Sequence, residues 1–314
     1  MRDLRDRVLS LNTTVHGRLA GMPNPTVLVT GATGQQGGAV VRHLLAAGFS
    51  IRTLVRNPES AASQALAQKG VQVVPGDFGQ PESLRRAMIG VDRVFSVQPF
   101  LRGKSYLEVQ WGKDVADAAA NEGVSHFVYT SVLGAGSAPD VPHFAGKAEI
   151  EGHIQSTRMP HTILQPGGFM ENLLMPVVLK GISKGKLTTP NKVDSPQPLI
   201  AVDDIGAIAA KVFALPGEYI GKKIPLVGEV ISTRNQAETL ARVLGRPIRP
   251  GQLPGIVVRV FLGRDLLRMF RWIDTSSGTV PFNIEALRMV HPGLSTFEDW
   301  CRHNFSEASA SQEH

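Results

Sequence analysis

A doubly wound, parallel α/β sheet followed by a smaller C-terminal α+β lobe is the fold class that this 314-residue sequence predicts. Three features predict it. The first is a glycine-punctuated junction, TVLVTGATGQQGGAVV, between an apolar β-branched run and an amphipathic one. The second is an alternation of strand-like and helix-like runs as far as about residue 167, as successive βα units require. The third is the loss of that rhythm beyond Pro166, where Gly181, Gly185, Pro190, Pro196 and Pro198 punctuate the chain.

Val27-Leu28-Val29 is short and apolar throughout, as a strand buried on both faces would be. Val40, Val41, Leu44 and Leu45 then recur at helical spacing, and Gly48 suits the helix C-terminus. Residues 49–56 read as the second strand, with a polar helix from near Pro58. Residues 71–74 read as the third strand, closed by Pro75-Gly76-Asp77, and 81–88 as a helix with proline in its first turn. A fourth strand is expected over 91–97, a long helix over 107–121 ending at Gly123, and a fifth strand over 127–131. A helix over 146–156 and a sixth strand over 161–165 complete the alternation. In the second half, helices are expected near 203–214, 233–244 and 255–272. Asp203-Asp204 reads as a helix cap and Thr233-Arg234-Asn235-Gln236 as a capping box. Arg264, Arg268 and Arg271 share one face of the last helix, either a solvated face or a partner surface. The expected division is a flexible extension over 1–24, with Met22 as an alternative start, a nucleotide-binding unit over 25–167, a lobe over 168–305 packed on the sheet edge, and a frayed tail over 306–314.

Hydrophobic residues make up 42% of the chain and charged residues 19%, the balance of a globular protein with a sizeable core. Cys301 is the single cysteine, which excludes an intramolecular disulfide and suits a reducing, cytoplasmic setting. No apolar run approaches the roughly 20 residues of a membrane helix. The net charge is +6, but Lys and Arg are scattered, which argues against nucleic acid as a partner. His143, His153 and His161 lack metal-ligand spacing, and no G-x-S-x-G element is present.

Gly31, Gly34 and Gly37, set between a buried strand and a helix, are placed to let a pyrophosphate approach the backbone at the positive helix end. A tight turn without a ligand is the competing reading. An acid near the end of the second strand would bind the ribose hydroxyls of NAD(H). Arg56 and Asn57 stand there instead, and a guanidinium suits the 2′-phosphate of NADP(H). NADP(H) is therefore expected over NAD(H).

The segments VTGATGQQGGAVV, VRNP, GDF, HFAGKAEIE, PGGFMENL and VDDIG together resemble the NmrA-like family of atypical short-chain dehydrogenase/reductases, with the nearest likeness to the HSCARG-type NADPH sensors. The resemblance runs from about Thr26 to Asn304 and includes HPGLSTFEDW. It implies a Rossmann fold whose cofactor contacts would include Thr33, Gln35 and Gln36 beside the glycines. It would also set Asp77 and Phe78 at the adenine, Val97, Gln98 and Pro99 along the middle, and Lys147 near the nicotinamide ribose. Gln165, Pro166 and Gly167 would flank the nicotinamide, with Phe100 and Phe169 at the substrate opening. Short-chain dehydrogenases use Y-x-x-x-K for proton transfer; here the lysine is Lys147, but His143 occupies the tyrosine position. Imidazole is an acid near neutrality with an unperturbed pKa of about 6.5. Its reach is shorter than a phenol's, and a nearby Lys147 ammonium would depress it. Ser131 stands where relatives carry a carbonyl-polarising serine. Two functions follow: a reductase of a quinone or other small acceptor, or a redox sensor that acts through a regulatory protein. A homodimer is compatible with either. DNA contact has no recognisable motif.

Overall fold

Val27 and Val29 of β1 (Thr26–Val29) enter one apolar core, and Leu28 enters another. Period-two alternation thus feeds two buried faces, the requirement of a sheet with helices on both sides. The computed structural model describes residues 24–276 and 279–310. The expected extension up to residue 23, the alternative start at Met22 and the last four tail residues lie outside the described residues.

After β1 come α1 (Gln35–Ala46), β2 (Ser50–Val55), α2 (Ala61–Gln68), β3 (Gln72–Pro75), α3 (Pro81–Met88), β4 (Arg93–Ser96), α4 (Ser105–Asn121), β5 (His126–Thr130), α5 (Pro142–Ser156) and β6 (His161–Pro166). The second half contributes β7 (Gly168–Phe169), α6 (Pro176–Ser183), β8 (Lys186–Thr189), β9 (Gln197–Ile200), α7 (Val202–Ala214), α8 (Pro216–Tyr219), β10 (Lys223–Leu226), β11 (Glu229–Ile231), α9 (Thr233–Leu244), β12 (Arg249–Gln252), α10 (Gly255–Phe261), α11 (Arg264–Ser276), α12 (Ile284–Val290) and α13 (Phe297–Ala310). The main sheet has seven parallel strands in the order β10-β6-β5-β4-β1-β2-β3. The direction of winding reverses between β1 and β4, which opens a crevice at the strands' carboxyl ends.

The chain does not divide cleanly at residue 167. β10 returns to the main sheet beside β6, and α7 lies against α1. Ile205, Ile208, Ala209, Val212 and Phe213 bury their stripe in the same core as Val27 and Val40. Gly206 permits that approach: a Cβ there would stand 2.7 Å from the Ala39 backbone. The rest of the second half forms the small sheets β11-β9-β7 and β12-β8 around a separate core that includes Met170, Leu187, Leu240, Phe297 and Trp300.

Several local expectations are corrected. The helix expected over 255–272 is two, α10 and α11, broken at Gly263, whose φ of +96° no helix accommodates. Ser232, not Thr233, caps α9, accepting from Asn235 N at 3.2 Å. Asp203 does not cap α7 but pairs with Arg42 and His43 of α1, at 2.7 and 2.9 Å. Asp204 is buried and accepts from His291 Nε2 and Ser295 N. The Val202 N–H at the start of α7 donates instead to Glu171, which also accepts from Trp300 Nε1. Among the described residues no helix is long and apolar enough to cross a membrane.

Candidate functional site

The crevice is a cleft of about 950 Å³, and every residue singled out from the sequence for cofactor, substrate or proton transfer lines it, apart from Gln165. Gly31, Thr33, Gly34, Gln35, Gln36 and Gly37 form its floor where β1 meets α1. Arg56, Asp77 and Phe78 stand at one end; Val97, Gln98, Pro99 and Phe100 run along β4's exit; Ser131, His143, Lys147, Pro166, Gly167 and Phe169 close the other end. Gln165 is turned away: its Nε2 donates to Glu151 Oε1 at 2.9 Å, and Glu151 pairs with Lys223 of β10 at 2.6 Å. Alternation along β6 sends it to the opposite face from Pro166.

The three glycines have different reasons. Gly31 has φ +62°, and a Cβ there would come within 2.9 Å of Val97 Cγ1. At Gly37 a Cβ would stand 2.3 Å from Gly31 O, so this glycine lets α1 pack on its own turn. Only Gly34 is open to the cleft: its nearest obstacle is Gly31 O at 3.3 Å, and it is exposed. As N-cap of α1 it offers no side chain to the first-turn N–H groups, which leaves them for an anion.

At the Arg56 end, the guanidinium is exposed and makes no hydrogen bond or ion pair among the described residues. Asp77 Oδ1 accepts from Gly79 N at 2.7 Å and so braces its own turn. Phe78 stacks on Trp111 of α4 at 5.6 Å, an aromatic wall for which the sequence reading had no counterpart.

At the far end, α5 begins at Pro142, four residues before the expected start, and this puts His143 and Lys147 on one helical face. Both meet Glu108 of α4, a buried carboxylate that sequence reasoning missed. Lys147 Nζ donates to Glu108 Oε1 at 2.9 Å and to Thr130 O at 3.3 Å. His143 Nδ1 lies 3.6 Å from Glu108 Oε2, an ion-pair separation too long for a hydrogen bond as it stands. Burial alone would raise the Glu108 carboxyl, but His143 and Lys147 together hold it below its ordinary value. The Lys147 ammonium therefore does not bear unopposed on His143, as the spacing alone suggests; a carboxylate sits between them. Phe100 meets the His143 ring edge-on at 5.2 Å. Tyr129, under the Lys147 ammonium at 5.2 Å, does not replace the missing tyrosine. It is fully buried off the cleft, and burial, aided by Glu108 and Glu151, pushes its phenol well above the ordinary value.

Gln98 Oε1, Thr130 Oγ1 and Ser131 Oγ are buried polar atoms without a hydrogen-bond partner among the described residues, and all three side chains line this cleft. Each such atom costs about 1–3 kcal/mol if left so, and a polar ligand in the cleft would supply the partners. The glycine floor, the free helix N-terminus and these atoms fit a nicotinamide dinucleotide.

Fold and cleft together define a dinucleotide-binding, doubly wound α/β protein. Residues 23–301 match the NmrA-like family, and the chain belongs to it. It is 36% identical over 230 residues to the NAD(P)H azoreductase of Xenophilus azovorans, covering 71% of this chain and 75% of that protein. A new type of NADPH-dependent quinone oxidoreductase from Escherichia coli superposes with TM-score 0.72 at 25% identity, over 89% of this chain and 99% of that one. The negative transcriptional regulator NmrA in complex with NADP superposes with TM-score 0.73 at 20% identity, over 93% and 99%, a likeness of fold alone.

Proposed function

We propose that this protein is an NADPH-dependent reductase of quinones and similar flat acceptors. The observation that carries the reading is Glu108, set between Lys147 and His143 at the end of the cleft where Phe100 and Phe169 stand. Bound in the cleft, NADPH would supply a hydride. Gly34 and the first turn of α1 would receive its pyrophosphate, and Arg56 a 2′-phosphate, which supports NADP(H) over NAD(H). Lys147, fixed by Glu108 and Thr130 O, is oriented for the nicotinamide ribose. Glu108 favours the imidazole tautomer with its proton on Nδ1, toward the carboxylate, so a neutral His143 ring has none on Nε2 to give. A ketone needs a proton donor for its developing alkoxide, whereas a reduced quinone takes protons from water. The azoreductase and quinone oxidoreductase named above are reductases of small conjugated acceptors, which supports the same class here.

NADPH oxidation measured with a quinone panel and a ketone panel, for the parent and His143→Ala, tests this. Quinone turnover in both proteins and ketone turnover in neither is the expected result. Ketone turnover abolished by His143→Ala would make the histidine a true acid. Tight NADPH binding with no turnover of any acceptor would favour the HSCARG-type sensor reading.

A further inference from the structure

The arginines of the second half that this function leaves unused form a built groove. α10 and α11 enclose a hollow of about 460 Å³ lined by Arg259, Arg264, Arg268 and Arg271 over an apolar floor of Ile256 and Leu267. No carboxylate lines it. Asp265 and Asp274 of α11 lie outside the lining, and Asp274 is engaged by Asn191 Nδ2 and Lys192 N at 3.0 and 3.1 Å. Elsewhere on the surface, Arg42, Arg85, Arg234, Arg242 and Arg302 each reach a carboxylate within 2.9 Å. The guanidinium groups of the four groove arginines make no ion pair or hydrogen bond among the described residues. Like charges gathered without counter-charges repel one another, a cost that ordinary solvation does not require a protein to accept.

α10 also carries an unusual apolar exposure. Ile256, Val260 and Phe261 are 64, 60 and 69% exposed. The groove is held rigidly from behind. Met269 and Trp272 of α11 pack outside the groove lining, Trp272 against Phe144 of α5, and Arg102 ties the end of α10 through the Val260 and Phe261 carbonyls. Arg264, Arg268 and Arg271 follow helical spacing, about two turns of cationic edge beside an apolar trough.

We infer that this groove docks an acidic amphipathic helix of a partner protein, with apolar side chains seated on Ile256 and Leu267 and carboxylates on the arginine edge. A concave trough between two helices suits a helix of about two to three turns. It suits a bilayer less, since membrane surfaces select a convex apolar face flanked by cations. Duplex DNA would find phosphate contacts here but no use for the exposed Ile256, Val260 and Phe261.

The test uses the full chain and a fluorescein-labelled synthetic peptide that places Glu and Leu on one helical face. A scrambled peptide of the same composition, phosphatidylcholine–phosphatidylserine vesicles and a DNA duplex serve as rivals. Saturable binding of the patterned peptide, weakened by salt and about tenfold by either Arg268→Glu or Arg264→Glu, is expected. Arg86→Glu on α3 makes the same charge change away from the groove and should leave affinity within about twofold. Melting temperatures of all variants confirm that the fold is intact. Absence of peptide binding would overturn the inference, as would equal loss in Arg86→Glu, equal affinity for the scrambled peptide, or tighter binding to vesicles or DNA.

Discussion

Two substitutions one helical turn apart in sequence, Gly37→Ala and Gly34→Val, should fail in opposite ways. A Cβ at Gly37 would lie 2.3 Å from Gly31 O and 2.9 Å from Ala32 N. Both are backbone atoms, so α1 must lift from its turn rather than a side chain rotate aside. Overpacking costs about 1–3 kcal/mol, and against backbone at this distance the upper end is expected, which in a chain of this size lowers Tm by about 6–12 °C. At Gly34 the nearest atom to an added Cβ is Gly31 O at 3.3 Å, and φ −91° with ψ 177° suits any residue. Gly34→Val meets that one contact and loses a favourable N-cap, about 1 kcal/mol, so it should lower Tm by only about 2–4 °C. Its branched side chain would nevertheless stand where the pyrophosphate approaches, and the loss of even one charge-assisted hydrogen bond, about 1.5–3 kcal/mol, weakens NADPH by about tenfold to a hundredfold. Thermal melts and NADPH fluorescence titrations on both variants separate the two effects. A Gly37→Ala protein that melts like the parent, or a Gly34→Val protein that keeps the parent's NADPH affinity, would refute this division of labour.

Arg56→Ala should weaken NADPH by about tenfold or more and NADH little; equal losses in parallel titrations would remove the 2′-phosphate from the argument. Glu108→Gln should strip Lys147 of its counter-charge at a cost of about 3 kcal/mol or more, seen as a lower Tm, and Lys147→Met in the same chain should restore part of it. Additive losses in that double-mutant cycle would mean that the pair is not coupled. His126 gives a pH dependence. Its Nε2 donates to Thr162 Oγ1, whose own hydroxyl donates to Tyr219 O, and burial, with Arg93 and His161 nearby, lowers the imidazole from 6.5 to about 4. The unfolded chain thus binds a proton that the fold refuses, so stability falls as pH drops below about 6.5, by about 2 kcal/mol at pH 5. Urea unfolding from pH 6.5 to 5 should show this loss, and His126→Gln, which keeps a donor but does not titrate, should show much less of it; equal slopes would exonerate the histidine.

The first half of the fold was legible because its signals are local. β1, the glycine junction and α1 carry apolar period, turn chemistry and helix end within about twenty residues. The second half was not, because its decisive contacts are distant. Nothing in the run Lys223-Ile224-Pro225-Leu226 says that it pairs with β6, and Gly206 reads as a liability in a helix until Ala39 is seen against it. Asp203 illustrates the same limit. Its position just before an apolar helix is where a cap belongs, yet Arg42 and His43 of α1 offer it charge, and charge across two packed helices prevailed over a local bond.

In the site, the residues that announce themselves by motif line the cleft, and the carboxylate that pairs with them was not legible. HFAGK displays His143 and Lys147, but their partner Glu108 sits on another helix within SYLEVQW. A signal was present: Glu108, Gly112, Val115 and Ala119 share the buried stripe of α4, and a carboxylate on such a stripe is rarely left unpaired. Once Glu108 is placed, the departure from Y-x-x-x-K takes on a different meaning. The histidine faces Glu108 with its Nδ1 at 3.6 Å, and in the proposed reductase a proton held on that side would be turned away from transfer. In the proposed reductase the site would keep the lysine's grip on the cofactor without a tyrosine's proton, a combination that would serve acceptors able to find their protons in water.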